Sequence, residues 1–183
     1  YDDFLFLNVS ARTDWVSNLT TENNSKTYPG ASLSFLPTNV FSGLKSENGI
    51  NFLKLRASYG TSATFPDAYP TRNVVTQQTQ VFQNGDGNVT TNQVNSVKAN
   101  PDLKPELLEE IEFGFETKLW QNRISLDVTY FNRNTNDLIV REPLPPSSGF
   151  RFTESNIGKI KNEGFEADLS VDVFRGENFS WNS

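Results

Sequence analysis

Hydrophobic and polar residues alternate with a period of two along six stretches of this chain. The odd-numbered positions of each stretch are almost all apolar, and the first stretch reads Leu5, Leu7, Val9 and Ala11. The even-numbered positions are charged, polar or small instead. Such alternation is typical of a β-strand with one face against an apolar phase and the other against water. We therefore predict strands at about 4–14, 28–36, 51–61, 107–119, 123–134 and 164–174, and the start of a seventh strand at residue 179.

The length of these strands indicates what the apolar phase is. Each complete strand would contain roughly 9 to 13 residues, which is the length that a tilted strand needs to cross a bilayer. A soluble β-sandwich also alternates apolar and polar residues, but its strands usually contain about five or six residues. The pattern therefore favours an all-β fold that forms part of a large antiparallel transmembrane β-barrel.

One stretch departs from the regular pattern. Lys159, Lys161 and Glu163 occupy odd-numbered positions, whereas the odd-numbered positions from Phe165 onward are apolar. A β-bulge shifts the side chains of a strand from one face to the other, and glycine often marks it. The sequence therefore predicts a bulge near Gly164.

The connections between the predicted strands alternate between long and short. We expect long polar loops at about 15–27, 62–106 and 135–155, a medium turn at 37–50, and short turns at 120–122 and 175–178. Outer-membrane barrels keep their periplasmic turns short, so the long loops are predicted to lie outside the cell. Aromatic and arginine side chains in these loops could stack on a ligand or bind it by hydrogen bonds, although packing within the loops is an equal alternative. The candidates are Phe65, Tyr69, Arg72, Phe150 and Arg151.

Composition narrows the functions that are open to the chain. The 183 residues carry a formal net charge of −6, which argues against a nucleic-acid partner. The chain has neither cysteine nor histidine, so thiol chemistry and the commonest metal ligand and general base are missing. Paired carboxylates such as Glu110 and Glu112 are interpreted as a wet barrel wall. We predict no enzyme, no catalytic residue, no cofactor and no metal site.

The two ends of the sequence suggest a piece of a longer protein. Methionine is absent, so Tyr1 is not a translation start, and an exported barrel would need a signal peptide that is not seen here. The last five residues resemble the opening of another strand. We therefore expect the chain to be an internal fragment.

Several strings along the chain carry a family resemblance. They are "ARTDW" at 11–15, "LKLRASYGTSA" at 53–63, "NPDLKPELLEEIEFGFE" at 100–116, "NRISLDVTYFNRNTNDLI" at 122–139 and "NIGKIKNEGFEADLSV" at 156–171. In combination they resemble the barrel of a TonB-dependent outer-membrane transporter of the SusC/RagA type, which is typical of Bacteroidota. The resemblance covers nearly the whole chain and is weakest across 71–99.

The resemblance implies both an architecture and a function. Residues 1–183 would be a fragment of the C-terminal transmembrane β-barrel domain, with about seven strands of a probable 22 and no plug domain. The intact protein would span the cell outer membrane many times, in contact with its lipids. It would import large nutrients, glycans or peptides, driven by TonB through parts that are absent here, under a SusD-like surface lipoprotein lid. The alternatives are a siderophore or cobalamin receptor of the same fold, and a SusC-like barrel that serves as a structural subunit of another outer-membrane assembly.

Overall fold

The computed structural model describes residues 3–68, 70–84, 87–175 and 180–182. Strands dominate this part of the chain, and the only helices in it are the short α1 (Pro37–Val40) and 3-10 turns at Ser42–Leu44 and Pro146–Ser148. No helix among the described residues is both long and apolar enough to cross a membrane. The strands are β1 Leu5–Trp15, β2 Ser25–Phe35, β3 Ile50–Thr64, β4 Val75–Asn84, β5 Gly87–Val94, β6 Val97–Lys98, β7 Glu106–Leu119, β8 Ile124–Pro143, β9 Phe152–Arg175 and β10 Ser180–Asn182.

Seven of these strands form one antiparallel path in the order β1-β2-β3-β7-β8-β9-β10. Strands that are adjacent along this path follow one another in sequence except between β3 and β7. There the chain inserts the separate hairpin β4–β5 and the two-residue β6, which pairs in parallel with β9. The all-β fold and the antiparallel arrangement predicted from the alternating pattern are therefore confirmed.

One face of the sheet is a continuous apolar surface, which we call the apolar belt. A row of paired residues shows it, because each one pairs with the next across the sheet. The row is Leu7, Leu33, Ala57, Phe113, Tyr130 and Phe165. Leu7 is 70% exposed and Phe165 is 76% exposed, although both are large and apolar. Exposed apolar area on this scale requires an apolar environment, as the lipid-facing side of a barrel has.

The opposite face of the same sheet is polar. Its corresponding row contains Ser34, Arg56, Gly114, Thr129 and Glu166, again paired in sequence across the strands. Among residues whose burial is described, the only buried apolar side chains are Leu19, Leu103 and two prolines, Pro37 and Pro105, and none of them lies in a strand. The sheet thus has no apolar core of its own between two layers, in contrast to a β-sandwich.

The upper edge of the apolar belt runs obliquely across the strands. Outward positions turn polar at Thr61 on β3 and at Asn132 on β8. Thr61 lies beside Pro29, which is still apolar, and Asn132 pairs with Ile111, which is also still apolar. Along a row of paired residues, the apolar stretch thus ends earlier on β3 than on β2, and earlier on β8 than on β7. The edge of the belt is displaced in the same direction at both steps, away from the end of the sheet where β3 ends and β7 begins. A horizontal membrane surface produces this geometry when the strands are tilted, as they are in barrels.

β8 and β9 are much longer than the sequence pattern indicated. β8 has 20 residues and β9 has 24, whereas strands were expected to end near 134 and to begin near 164. At about 3.3 Å per residue, 20 residues span roughly 65 Å, far more than the hydrocarbon core of a bilayer. The prediction was wrong here because alternation reports only the part of a strand that meets lipid. Above the belt, backbone pairing continues without an apolar face.

The predicted bulge at Gly164 is also wrong. Gly164 pairs with Phe131 in regular register. The register shifts lie between Thr135 and Leu138 and between Leu138 and Ile139. The first places an extra residue on β8 and the second an extra residue on β9, so the two cancel and the register is the same on both sides. Lys161 and Glu163 therefore share the face of Phe165, and they are polar because they lie above the apolar belt.

Candidate functional site

Three connecting segments pack together at one end of the sheet, and we call them the loop cluster. They are residues 16–24, the described residues of 65–74, and residues 95–105. The Asn18 side-chain amide donates to the carbonyls of Pro66 and Asp67, the latter at 3.1 Å. Thr71 Oγ1 returns a hydrogen bond to the Asn18 carbonyl at 3.3 Å. Short polar side chains that bond to backbone in this way hold loops in a fixed shape without regular structure.

The third segment of the loop cluster is tied to the others and to β9. The Asn100 amide N–H donates to the Pro70 carbonyl at 2.9 Å, and its side chain donates to the Glu154 carbonyl at 2.8 Å. Asn156 bonds Lys104 twice, accepting from the Lys104 N–H at 2.8 Å and donating to its carbonyl at 2.9 Å. Leu103 between these clamps is fully buried. Residues 95–105 are therefore fixed to the long hairpin β8–β9.

Two cavities open within the loop cluster, and Arg72 lines both. The larger has a volume of about 290 Å³ and is lined by residues 17–20 together with Ala68, Thr71 and Arg72. The smaller, about 120 Å³, is lined by Asp67, Arg141 and Glu154 among others. The Arg141 Nε lies 2.9 Å from a Glu154 carboxylate oxygen, so that pair is internally neutralised. Arg72 is exposed and forms no ion pair with any described residue.

The sequence-predicted ligand residues are distributed unevenly over this region. Phe65 is half-buried just after β3, and Arg72 lines the two cavities. Phe150 is half-buried and Arg151 is exposed in the turn that precedes β9, where the Arg151 N–H donates to the Ser96 carbonyl at 2.8 Å. Phe65, Phe150 and Arg151 lie outside the linings of the two cavities. Tyr69 lies outside the described residues, and a ligand-binding role for the set stays a prediction.

Sequence reasoning missed the asparagines that build the loop cluster. Asn18, Asn100 and Asn156, all half-buried, make its cross-links, yet an asparagine outside the apolar alternation carries no periodic signal. A signal did exist in "NPDLKPE" and "NIGKIKNEGFE", which lie within two of the strings that carry the family resemblance. The structure shows that the two strings meet, through Asn156 and Lys104.

The polar face carries an ion pair that spans three strands and passes over a glycine. Arg56 on β3 reaches across β7 to Asp127 on β8, with Nη1–Oδ2 and Nη2–Oδ1 distances of 2.8 and 2.6 Å. It passes over Gly114, where an added Cβ would lie 2.9 Å from Arg56 Nη2. Such a two-pronged contact fits the planar guanidinium, and it links three strands.

The carboxylates that were considered as a pair have other partners. Glu110 accepts from Arg133 at 2.8 Å, and Glu112 accepts from Ser58 at 3.1 Å. Both contacts run across neighbouring strands. This arrangement supports the interpretation of these residues as parts of a wet barrel wall.

An antiparallel sheet with an apolar belt on one face and a charged, hydrogen-bonded network on the other defines the wall of a transmembrane β-barrel. Residues 1–183 match the family described as "TonB dependent receptor-like, beta-barrel". The chain belongs to this family, whose members lie in the outer membrane.

Similar proteins place the chain more closely. TonB-dependent receptor P26 of Formosa agariphila is 27% identical over 185 residues, a match that covers 100% of this chain and 18% of that protein. The RagAB peptide importer in its "closed-closed" state superposes with a TM-score of 0.82 at 27% identity over 97% of this chain and 19% of that chain. The resemblance to the SusC/RagA type is therefore confirmed. These relatives are receptors and transporters rather than enzymes, and the chain spans about a fifth of their length.

A more distant structure shows the fold alone. The siderophore receptor PirA from Pseudomonas aeruginosa superposes with a TM-score of 0.58 at 19% identity, over 98% of this chain and 30% of that chain. The lower TM-score at equal coverage of this chain shows that its strands and loops differ more from PirA than from RagAB.

Proposed function

We propose that this chain forms part of the wall and outer loops of a TonB-dependent importer of large nutrients. One observation carries the proposal. The TM-score of the superposition on the RagAB peptide importer is 0.82, whereas the TM-score on a siderophore receptor is 0.58. Residues 1–183 would be a fragment of the C-terminal barrel domain of a multi-pass protein in the cell outer membrane. The apolar belt would contact lipid, and TonB would act through other parts of the protein.

The substrate class proposed is a peptide or a glycan. The RagAB relatives are named as peptide importers, and peptides and glycans are both oligomers too large for simple diffusion through a narrow pore. A SusD-like surface lipoprotein would cover the barrel as a lid. The loop cluster would lie on the outside of the cell, because the connection between β3 and β7 at its end of the sheet is far longer than the turn 120–123 and the segment 36–49 at the opposite end.

Sidedness and transport can be tested in the same strain. An epitope inserted in the exposed turn at residues 146–149 of the full-length receptor should be labelled on intact cells. The same epitope inserted at residues 120–122 serves as the matched control and should be labelled only after the outer membrane is permeabilised. The reverse labelling would contradict the proposed orientation.

Uptake tests the importer itself. Cells that carry the receptor should accumulate fluorescent oligopeptides or oligosaccharides, and dissipation of the proton-motive force should abolish accumulation. Deletion of the hairpin 75–94 should impair uptake more than barrel assembly, since this hairpin is separate from the main sheet. Energy-independent uptake, or accumulation of iron chelates in place of oligomers, would contradict the proposal. Co-purification with other machinery in place of a SusD-like lipoprotein would favour the structural-subunit alternative.

A further inference from the structure

The larger cavity of the loop cluster has an unusual electrostatic character for this chain. Arg72 is the only charged residue among the described residues that line it, and it has no ion-pair partner among them. The chain as a whole carries a net charge of −6, so its overall field disfavours anions. Asp67 and Glu154 line the adjoining smaller cavity, which Arg72 also lines, and Glu154 is paired there with Arg141. The larger cavity itself presents a positive charge with no acidic group among its described lining residues.

The remaining polar side chains of this cavity are a serine, two threonines and Asn18, whose buried Oδ1 accepts no hydrogen bond from a described residue. Thr20 Oγ1 donates to the Pro101 carbonyl at 3.2 Å, and Thr71 Oγ1 donates to the Asn18 carbonyl at 3.3 Å. The Ser17 hydroxyl lines the same cavity and forms no hydrogen bond with a described residue. Arg72 and Ser17 thus supply side-chain hydrogen-bond donors that no other described residue uses.

The walls of the cavity are held in place before any ligand arrives. Leu19 is buried at 6% exposure, and the Asn18 amide ties residues 16–24 to residues 65–74. The carbonyls of Pro70 and Pro101 anchor the third segment through Asn100 and Thr20. A site whose walls are already ordered loses less conformational entropy when it binds a ligand.

We propose that this cavity, with Arg72 and Ser17 as donors, binds a carboxylate group of the imported oligomer. The planar guanidinium donates two parallel hydrogen bonds to a carboxylate, and a hydroxyl can add a third. At about 290 Å³ the cavity accommodates one acidic unit rather than a whole oligomer. The inference rests on the proposed import function and makes it more specific: the importer selects oligomers that carry carboxylates.

Two pairs of probes separate the possible sources of the carboxylate. The first pair is the N-acetylated and C-amidated pentapeptide Ala-Ala-Glu-Ala-Ala and its glutamine analogue. The second pair is trigalacturonate and its methyl ester. Binding is measured by isothermal titration with the full-length receptor and its partner lipoprotein, purified together in detergent. Uptake of the neutral peptide by energised cells is measured in parallel and reports the proposed import function separately.

The expected result is a loss of carboxylate preference in one variant. Arg72→Gln should weaken binding of the acidic member of one pair about three- to tenfold and leave its neutral partner unchanged, because Arg72 is exposed and its contact is screened by water. Arg72→Lys should retain part of the preference, because lysine keeps the positive charge but cannot donate two parallel hydrogen bonds from a planar group. Lys98→Gln removes a positive charge from the same end of the sheet, outside the cavity lining, and should change neither member.

Each outcome bears on one of the two proposals. A loss confined to the peptide pair identifies an acidic oligopeptide as the source, and a loss confined to the sugar pair identifies a uronate. If the wild-type complex shows no preference for either acidic probe, or if Arg72→Gln weakens acidic and neutral probes equally, the carboxylate site is refuted while neutral-peptide uptake still supports the importer. If energised cells take up neither peptide nor glycan, the import function itself is refuted.

Discussion

The apolar belt and the loop cluster are built on opposite principles. In the belt, side chains such as Phe113 and Phe165 make few contacts within the chain, and each depends on an apolar surrounding. In the loop cluster, side chains such as Asn100 and Asn156 bond to backbone groups of distant segments. The belt is therefore stabilised by the lipid that it faces, whereas the loop cluster is stabilised by hydrogen bonds within the chain. A change of one residue should be felt differently in the two regions.

The largest effect is expected from a charge in the belt. Phe113→Arg in the full-length receptor should destabilise the barrel by about 2–4 kcal/mol, because the cation would face hydrocarbon. Ser58→Arg is the matched control on the polar face, beside Glu112, and should have a much smaller effect. Urea unfolding in liposomes, with the gel shift of the heat-treated protein as a second readout, measures both. Equal destabilisation by the two variants would remove the distinction between the faces.

A smaller effect is expected where the polar face is most tightly packed. Gly114→Ala would place a Cβ 2.9 Å from Arg56 Nη2 and 3.1 Å from the Val128 carbonyl. Since backbone is involved, the strands must shift, and we expect a cost of about 1–3 kcal/mol. Gly60→Ala is the control, because a Cβ there meets nothing within 4 Å. If both variants unfold at the wild-type urea concentration, Arg56 does not need the space above Gly114.

A local effect is expected in the loop cluster. Asn156→Ala removes the two hydrogen bonds to Lys104 and one to the Asp137 carbonyl. Opening of residues 97–104 should become easier by about 1–2 kcal/mol, without a change in barrel unfolding. Hydrogen exchange of the Lys104 amide measures this, and Asn162→Ala, an exposed asparagine of the same strand, is the control. A fall in global stability equal to the local one would show that the two regions are not independent.

The smallest effect is expected from an exposed ion pair. Arg141→Ala breaks the contact with Glu154, in which the arginine side chain is 65% exposed. Solvent screening limits such pairs to less than about 1 kcal/mol. Thermal unfolding at low and high salt should therefore differ little between this variant and wild type. A loss above about 2 kcal/mol would indicate that Arg141 supports the cluster through packing.

The two regions also differ in how much of them the sequence predicts. The belt was predictable at the level of single residues, since Leu7, Phe113 and Phe165 occupy the alternating positions that lipid requires. The upper half of β8–β9 was not, because strands above the membrane keep their pairing without an apolar face. The cross-links of Asn18, Asn100 and Asn156 join residues far apart in sequence, and no local pattern encodes such pairs. Of the four candidate ligand residues that the structure describes, Arg72 alone lines the cavities, and its role stays a prediction.

The central claim is that successive side chains of one strand face lipid and water in turn, and a cysteine scan tests it most directly. The described segment contains no native cysteine, so single substitutions at Phe165, Glu166, Ala167 and Asp168 can each carry a spin label in an otherwise cysteine-free full-length receptor in liposomes. All four residues are exposed in the sheet. Labels at 165 and 167 should be accessible to oxygen and protected from a water-soluble nickel reagent, and labels at 166 and 168 should show the reverse. Equal access of the nickel reagent to all four labels would contradict the assignment of this face to lipid.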